Sequence, residues 1–316
     1  MHHQLVWIGI LLVLVVGPTA LALTGLVWPK RGTDGTRDDT ALPPSPAWPL
    51  IVNSAVAYAL AFNLIFFIQE LFLVLPKALT PGLRPTLFHN NHTWSGDNPL
   101  AALWQGTGAV AIIVTGLICL SILPALQRNS AVVRLLVIWL AYHGLIMGLA
   151  QIPVGALSSG SDIGTAMKYL GWSDATKTAL AIAALLSIPL VALRLTRFVM
   201  ELAASPAEVG TAALRQRFML KAATGAALLG TVLVIPFRVP RELAEVIGPP
   251  VVVAIAGISW MQAGATRGLA AGVLTRKERA RSPSRPVHNV AWPLLIALVA
   301  VFVVFQFVLA RGVRFR

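Results

Sequence analysis

Eight stretches of this chain are each about 20 residues long or a little more and predominantly apolar, with their few charges mostly near the ends, near 4–28, 50–75, 99–124, 131–156, 177–200, 212–236, 248–265 and 290–311. That is the length an α-helix needs to cross about 30 Å of hydrocarbon. In lipid every backbone N–H and C=O must be satisfied within the protein, so spanning segments are helices or closed barrels. Composition agrees: 57% of the 316 residues are hydrophobic and 12% charged, against about 25% charged in a soluble domain. A soluble globular enzyme and a disordered chain are both excluded. The expected fold is an all-α, polytopic transmembrane helix bundle of about eight spanning helices, a single membrane domain over 1–316. Gly248-Pro249-Pro250 opens the short seventh segment, which leaves a re-entrant or strongly tilted piece as the alternative there. The first apolar run, Leu5 to Trp28, has no Lys or Arg before it and no small-residue cleavage motif after it. It reads as a retained helix and not a signal peptide.

The formal charge of +13 is a matter of where the basic residues fall. Lys and Arg in cytoplasmic loops set membrane orientation. Of the 25, sixteen belong to the first, third, fifth and seventh loops and nine to the others with the C-terminal tail. This bias predicts a multi-pass cell-membrane protein with both termini outside the cytoplasm. The linker 274–288 carries Arg276, Lys277, Arg279, Arg281 and Arg285 and is suited to anionic lipid headgroups. It has no interleaved aromatics to stack bases, so nucleic acid is not an expected partner. The single cysteine, Cys119, allows neither an intrachain disulfide nor a thiolate metal cluster. No Gly-x-x-x-x-Gly-Lys-Ser/Thr loop is present, so any transport would be ion-coupled or passive.

An ionisable side chain at membrane depth costs about 2.5–3.5 kcal/mol on insertion scales, which singles out Gln69-Glu70 in the second segment. Asn63, Glu70 and Lys77 recur every seven residues and so share one helical face. Two readings follow. Glu70 pairs with Lys77 or Arg84 and pins the packing, or it is a proton-handling or metal-binding carboxylate. The connection 76–98, read as a Pro/Gly-rich loop, carries His89 and His92 three residues apart. With Glu70 they would supply enough ligands for zinc, with water in the fourth place, and Asp97 is a further candidate. The alternative is a loop in which the His and Asn side chains satisfy turn backbone groups. His143 lies mid-membrane and is expected to hydrogen-bond Gln105 or Gln151. Six histidines in the chain are too few for a di-iron desaturase site, despite the His-Asn-Asn-His string.

The run Gln69-Glu70-Leu71-Phe72-Leu73, the small-residue stretch from Pro99 through Gly108 and the turn from Gln151 to Asp162 together resemble the site-2 protease family of intramembrane zinc metallopeptidases. In that family one helix carries His-Glu-x-x-His, a later turn supplies an aspartate ligand, and a helix opening with small residues lies between. Here the corresponding residues are Gln69-Glu70-Leu71-Phe72-Leu73, Pro99 through Gln105-Gly106-Thr107-Gly108, and Gln151-Ile152-Pro153 through Asp162, over roughly 50–170. The helices of 177–311 are additional. The resemblance implies that Glu70 matches the general base and Asp162 the third zinc ligand. Both motif histidines are replaced, by Gln69 and Leu73. Two expectations follow from that departure. One is a non-catalytic core that binds a membrane-protein partner or serves in assembly. The other is a zinc hydrolase with a rearranged site in which His89, His92 and Asp162 are ligands and Glu70 is catalytic. A third reading is an ion-coupled transporter whose polar path is lined by Glu70, Gln105, His143 and Asp162. Gln69, Gln105, His143 and Gln151 form the expected polar membrane cluster.

Overall fold

The computed structural model describes residues 2–21, 47–238, 243–266 and 289–315. The basic linker 274–288 and residues 22–28 of the first segment lie outside the described residues. Among the described residues, which fold as an all-α helical bundle, eight helices are long and apolar enough to cross a membrane. These are α1 (His2–Leu21), α2 (Ala47–Ala78), α3 (Leu100–Arg128), α4 (Ala131–Leu157), α6 (Asp174–Met200), α7 (Ala212–Arg238), α8 (Leu243–Thr266) and α9 (Trp292–Arg311). A short helix, α5 (Asp162–Tyr169), lies between α4 and α6. The starts of four helices are written in the sequence. The side chains of Ser130, Ser161, Ser173 and Thr211 accept from the backbone N–H three residues on, capping α4, α5, α6 and α7, which satisfies donors that a helix start leaves unpaired. The seventh segment, with a re-entrant piece as its alternative, is one helix running through Pro249 and Pro250.

Helices α2 and α4 form the centre of the bundle and pack on each other, with α3 and α6 against α4 and α7 against α2. Leu135, Ile138, Trp139, Tyr58 and Phe62 are sealed between them. α1 and α9 instead turn large apolar side chains outward, among them Trp7, Leu11, Ile296 and Phe307. In water such faces would need covering; in lipid they need none. Arg134 at the start of α4 is joined to the end of α6 through Glu201, at 3.0 Å, and Glu201 also accepts from Arg197 at 3.1 Å. Asn53 fastens the opening of α9 at that same end, donating to Asn289 O and accepting from Ala291 N–H.

The opposite end holds the main departure from expectation. Residues 84–95, anticipated as loop, form an antiparallel hairpin of β1 (Arg84–Leu87) and β2 (His92–Ser95), with Leu87 opposite His92 and Arg84 opposite Ser95. A four-residue turn closes it through Phe88 N–H to Asn91 O, 2.8 Å. The other edge of β1 is taken by β3 (Val313–Arg314), which follows α9, so the sheet order is β2-β1-β3. Pro85 sits in β1, which argues against a strand in sequence terms, and β3 arrives from more than 200 residues away. Neither is visible as local periodicity.

Candidate polar centre beneath the hairpin

Four elements deliver polar side chains to one place at the hairpin end of the bundle. The last turns of α2 supply Glu70 and Lys77, and β2 supplies His92 and Trp94, which share a strand face because alternate residues point the same way. α3 supplies Gln105, and the first residue of α5 is Asp162. Glu70, Lys77, His92 and Gln105 are all buried. His92 Nδ1 lies 2.8 Å from Glu70 Oε2 and its Nε2 lies 3.0 Å from Gln105 Oε1. The same Gln105 oxygen accepts from Lys77 Nζ at 2.8 Å, and Lys77 also donates to its own i−4 carbonyl, Leu73 O, at 2.8 Å.

The donor inventory fixes the protons. An ammonium has only hydrogens to offer, so Gln105 must turn its oxygen, not its NH2, toward Lys77. His92 Nε2 faces that oxygen and therefore carries a hydrogen. One further proton then sits between Nδ1 and Glu70, making either an imidazolium–carboxylate pair or a neutral acid–imidazole pair. Asp162 is within electrostatic reach of all three: burial pushes its carboxyl above the ordinary 3.8, His92 opposes this, Glu70 adds to it and Lys77 opposes it.

Local backbone features serve this convergence. The interruption of α3 falls at Gln105–Gly106, between helical Leu100–Trp104 and Thr107–Ile122. Thr107 Oγ1 reaches Trp104 O and Phe72 O, both at 2.6 Å, supplying a donor to a carbonyl released by the break. Asn98 Oδ1 accepts from Leu100 N–H at the entry. Gly108 allows α3 to lie directly on α2: a Cβ there would stand 2.7 Å from Leu73 Cγ and 2.9 Å from Gln69 Cγ.

The remaining sequence candidates divide. Gln69 is joined to Gln151 at 2.9 Å, tying α2 to α4 beside the centre. His89 is buried but goes elsewhere, its ring 5.9 Å from that of Phe305 on α9. The expected pairing of His89 and His92 on one ligand is therefore not the observed arrangement, because the hairpin turn sends the two rings to different helices. Among the described residues no group of three His, Cys, Asp or Glu side chains is arranged to hold a metal ion. Asp97 follows the hairpin without joining the described contacts of the centre.

His143 corrects a second expectation, since Gln105 and Gln151 are both engaged elsewhere. It is fully buried among Tyr58, Phe62 and Tyr142, edge-to-face at 4.4, 5.3 and 5.2 Å between ring centroids. Neither ring nitrogen makes a well-formed hydrogen bond, although the Tyr58 backbone lies beside the ring. Edge-to-face rings permit N–H···π contacts, so His143 packs as an aromatic residue. Lys77 and Trp94 are the members of the centre that sequence reasoning missed as site residues. Lys77 was legible as the third residue of the heptad Asn63–Glu70–Lys77, whereas Trp94 needed the hairpin.

No family model, curated protein or solved structure matches this chain.

Proposed function

We propose that this chain is a non-hydrolytic, multi-pass membrane component that binds or assembles with another membrane protein, built on a site-2-protease-like core whose centre is closed by internal pairing. One observation carries the reading: His92 spends both ring nitrogens on Glu70 and Gln105, and Gln105 spends its oxygen on His92 and Lys77. Of the side chains that would ligate zinc or activate water, His92 and Glu70 are engaged with each other, His89 is turned away towards Phe305, and the Glu70 and Asp162 carboxyls lie within electrostatic reach of Lys77. The centre then acts as a clasp. It fixes the hairpin and the opening of α3 at the bundle end, leaving Leu79 and Trp94 exposed on a rigid surface suited to a partner. Among the described residues, the helix ends that flank the odd-numbered loops lie opposite the hairpin, and those loops carry sixteen of the basic residues in the sequence, which supports a hairpin and both termini outside the cytoplasm of a cell membrane, with the basic sequence of 274–288 suited to anionic lipid.

Metal analysis of purified protein tests this. Substoichiometric zinc, unchanged by His89→Ala and His92→Ala, is the expected result. Stoichiometric zinc lost in those variants replaces the reading with the zinc hydrolase alternative, in which Glu70 accepts the proton of bound water.

Ion-coupled transport is favoured by a separate observation, the break of α3 at Gln105–Gly106 directly over the charged cluster. Discontinuous helices of this kind bound ion sites in transporters. Reconstituted liposomes that acidify on imposition of a substrate gradient, and fail to with Glu70→Gln, would favour it. His143, packed away in its aromatic box, takes no part in this second reading.

A further inference from the structure

Lys77 is 0% exposed, yet its ammonium makes no contact ion pair among the described residues. It lies 2.8 Å from Leu73 O, 2.8 Å from Gln105 Oε1 and 4.8 Å from the centroid of the Trp94 ring. The Glu70 and Asp162 carboxylates act on it through space. Neutral oxygens close in, an aromatic face on one side and negative charge further out are the surroundings that suit a small monovalent cation. A lysine held for stability alone would be expected to meet a carboxylate directly, as Arg134 meets Glu201. Each wall is also independently fixed. Gln105 sits at the helix interruption, Leu73 O is backbone, and Trp94 stacks on His92 at 5.8 Å between centroids.

We infer that the space around Lys77 Nζ is a binding chamber for a primary ammonium or a monovalent ion of similar size, and that the protein supplies its own occupant on a four-carbon tether. This deepens the closed-centre reading above by saying what closes it: a resident cation. Removing the tether beyond Cβ would leave the oxygens, the ring and the carboxylates in place with a hole the size of propylammonium.

Lys77→Ala provides the test, read by thermal unfolding in detergent with propylammonium chloride, sodium chloride or propan-1-ol added at equal millimolar concentration. The variant is expected to melt below the parent protein. Propylammonium should raise its midpoint by several degrees, through binding to the folded state alone, while propanol leaves it unmoved and the parent protein does not respond to the amine. A variant that melts with the parent, or that responds no more to propylammonium than to propanol, overturns the chamber. If Lys77→Ala does not survive extraction, its yield with and without propylammonium becomes the readout. A yield restored by the amine supports the inference, and equal yields, nil included, overturn it. Zinc in the parent protein would end the closed-centre reading, whereas an amine-indifferent variant ends only this one.

Discussion

Two buried histidines in this molecule meet the membrane in opposite ways. His92 has a carboxylate on one nitrogen and an amide oxygen on the other, and Lys77 shares its partner. His143, on α4, has aromatic rings on three sides and no well-formed hydrogen bond. The first is sustained by charge and the second by shape. The contrast teaches that burial alone does not mark a functional histidine. What distinguishes His92 is that changing any one partner strands the others, while His143 is interchangeable with a ring of its own size.

The largest effect that can test this contrast is Glu70→Ala. Breaking a buried pair by removing one partner costs about 3–5 kcal/mol, because the other is left uncompensated. Thermal or denaturant unfolding should register a loss of that order, and His92→Phe should match it. A loss under about 1 kcal/mol would mean that water reaches the centre and that the clasp is weak. Next in size is Gly108→Ala, which presses a methyl into Leu73 and Gln69. Overpacking of this kind costs about 1–3 kcal/mol, and the damage should appear both as lower stability and as loosened protection of the hairpin in hydrogen exchange. His143→Phe should cost less than about 1.5 kcal/mol, as volume-conserving core changes do. A loss as large as that of His92→Phe would erase the distinction drawn above and place His143 in a polar network after all.

The smallest effect is a slope. Burial raises the Asp162 carboxyl above 3.8 on folding. An acid whose pKa rises on folding stabilises the fold fully below its unfolded value and loses that contribution as pH climbs through the folded value. The midpoint of Asp162→Asn relative to the parent protein should therefore move in the variant's favour as pH rises above about 4. A difference independent of pH would show that Asp162 is solvated and stands outside the centre.

How much of this was legible in the sequence follows from the range of each signal. Segment length and hydropathy are local properties, and they located the long apolar helices to within a few residues wherever both ends lie in the described residues, down to Ala131–Leu157 against an expected 131–156; the expected end of the first segment at 28 lies outside them. The heptad of Asn63, Glu70 and Lys77 likewise described one face of α2. The hairpin was not legible, since two four-residue strands, one with a proline, look like any polar connection, and β3 completes the sheet from the far side of α9. With the hairpin unseen, His89 and His92 looked like a pair, and Trp94 could not be connected to Lys77. Gln105 and His143 were identified as polar residues at depth, but which of them would meet depended on the side of α4 that faces α2. That is set by close packing around Tyr58 and Trp139 and not by spacing.

The placement of β3 has a consequence for biosynthesis. Because that strand emerges only after α9, β1 must wait with one edge vacant while the ribosome delivers the remaining helices and the translocation machinery settles the eighth. The sheet over the polar centre is thus closed only after α9 has been made, and a fusion partner placed just beyond Arg314 would compete with that closure.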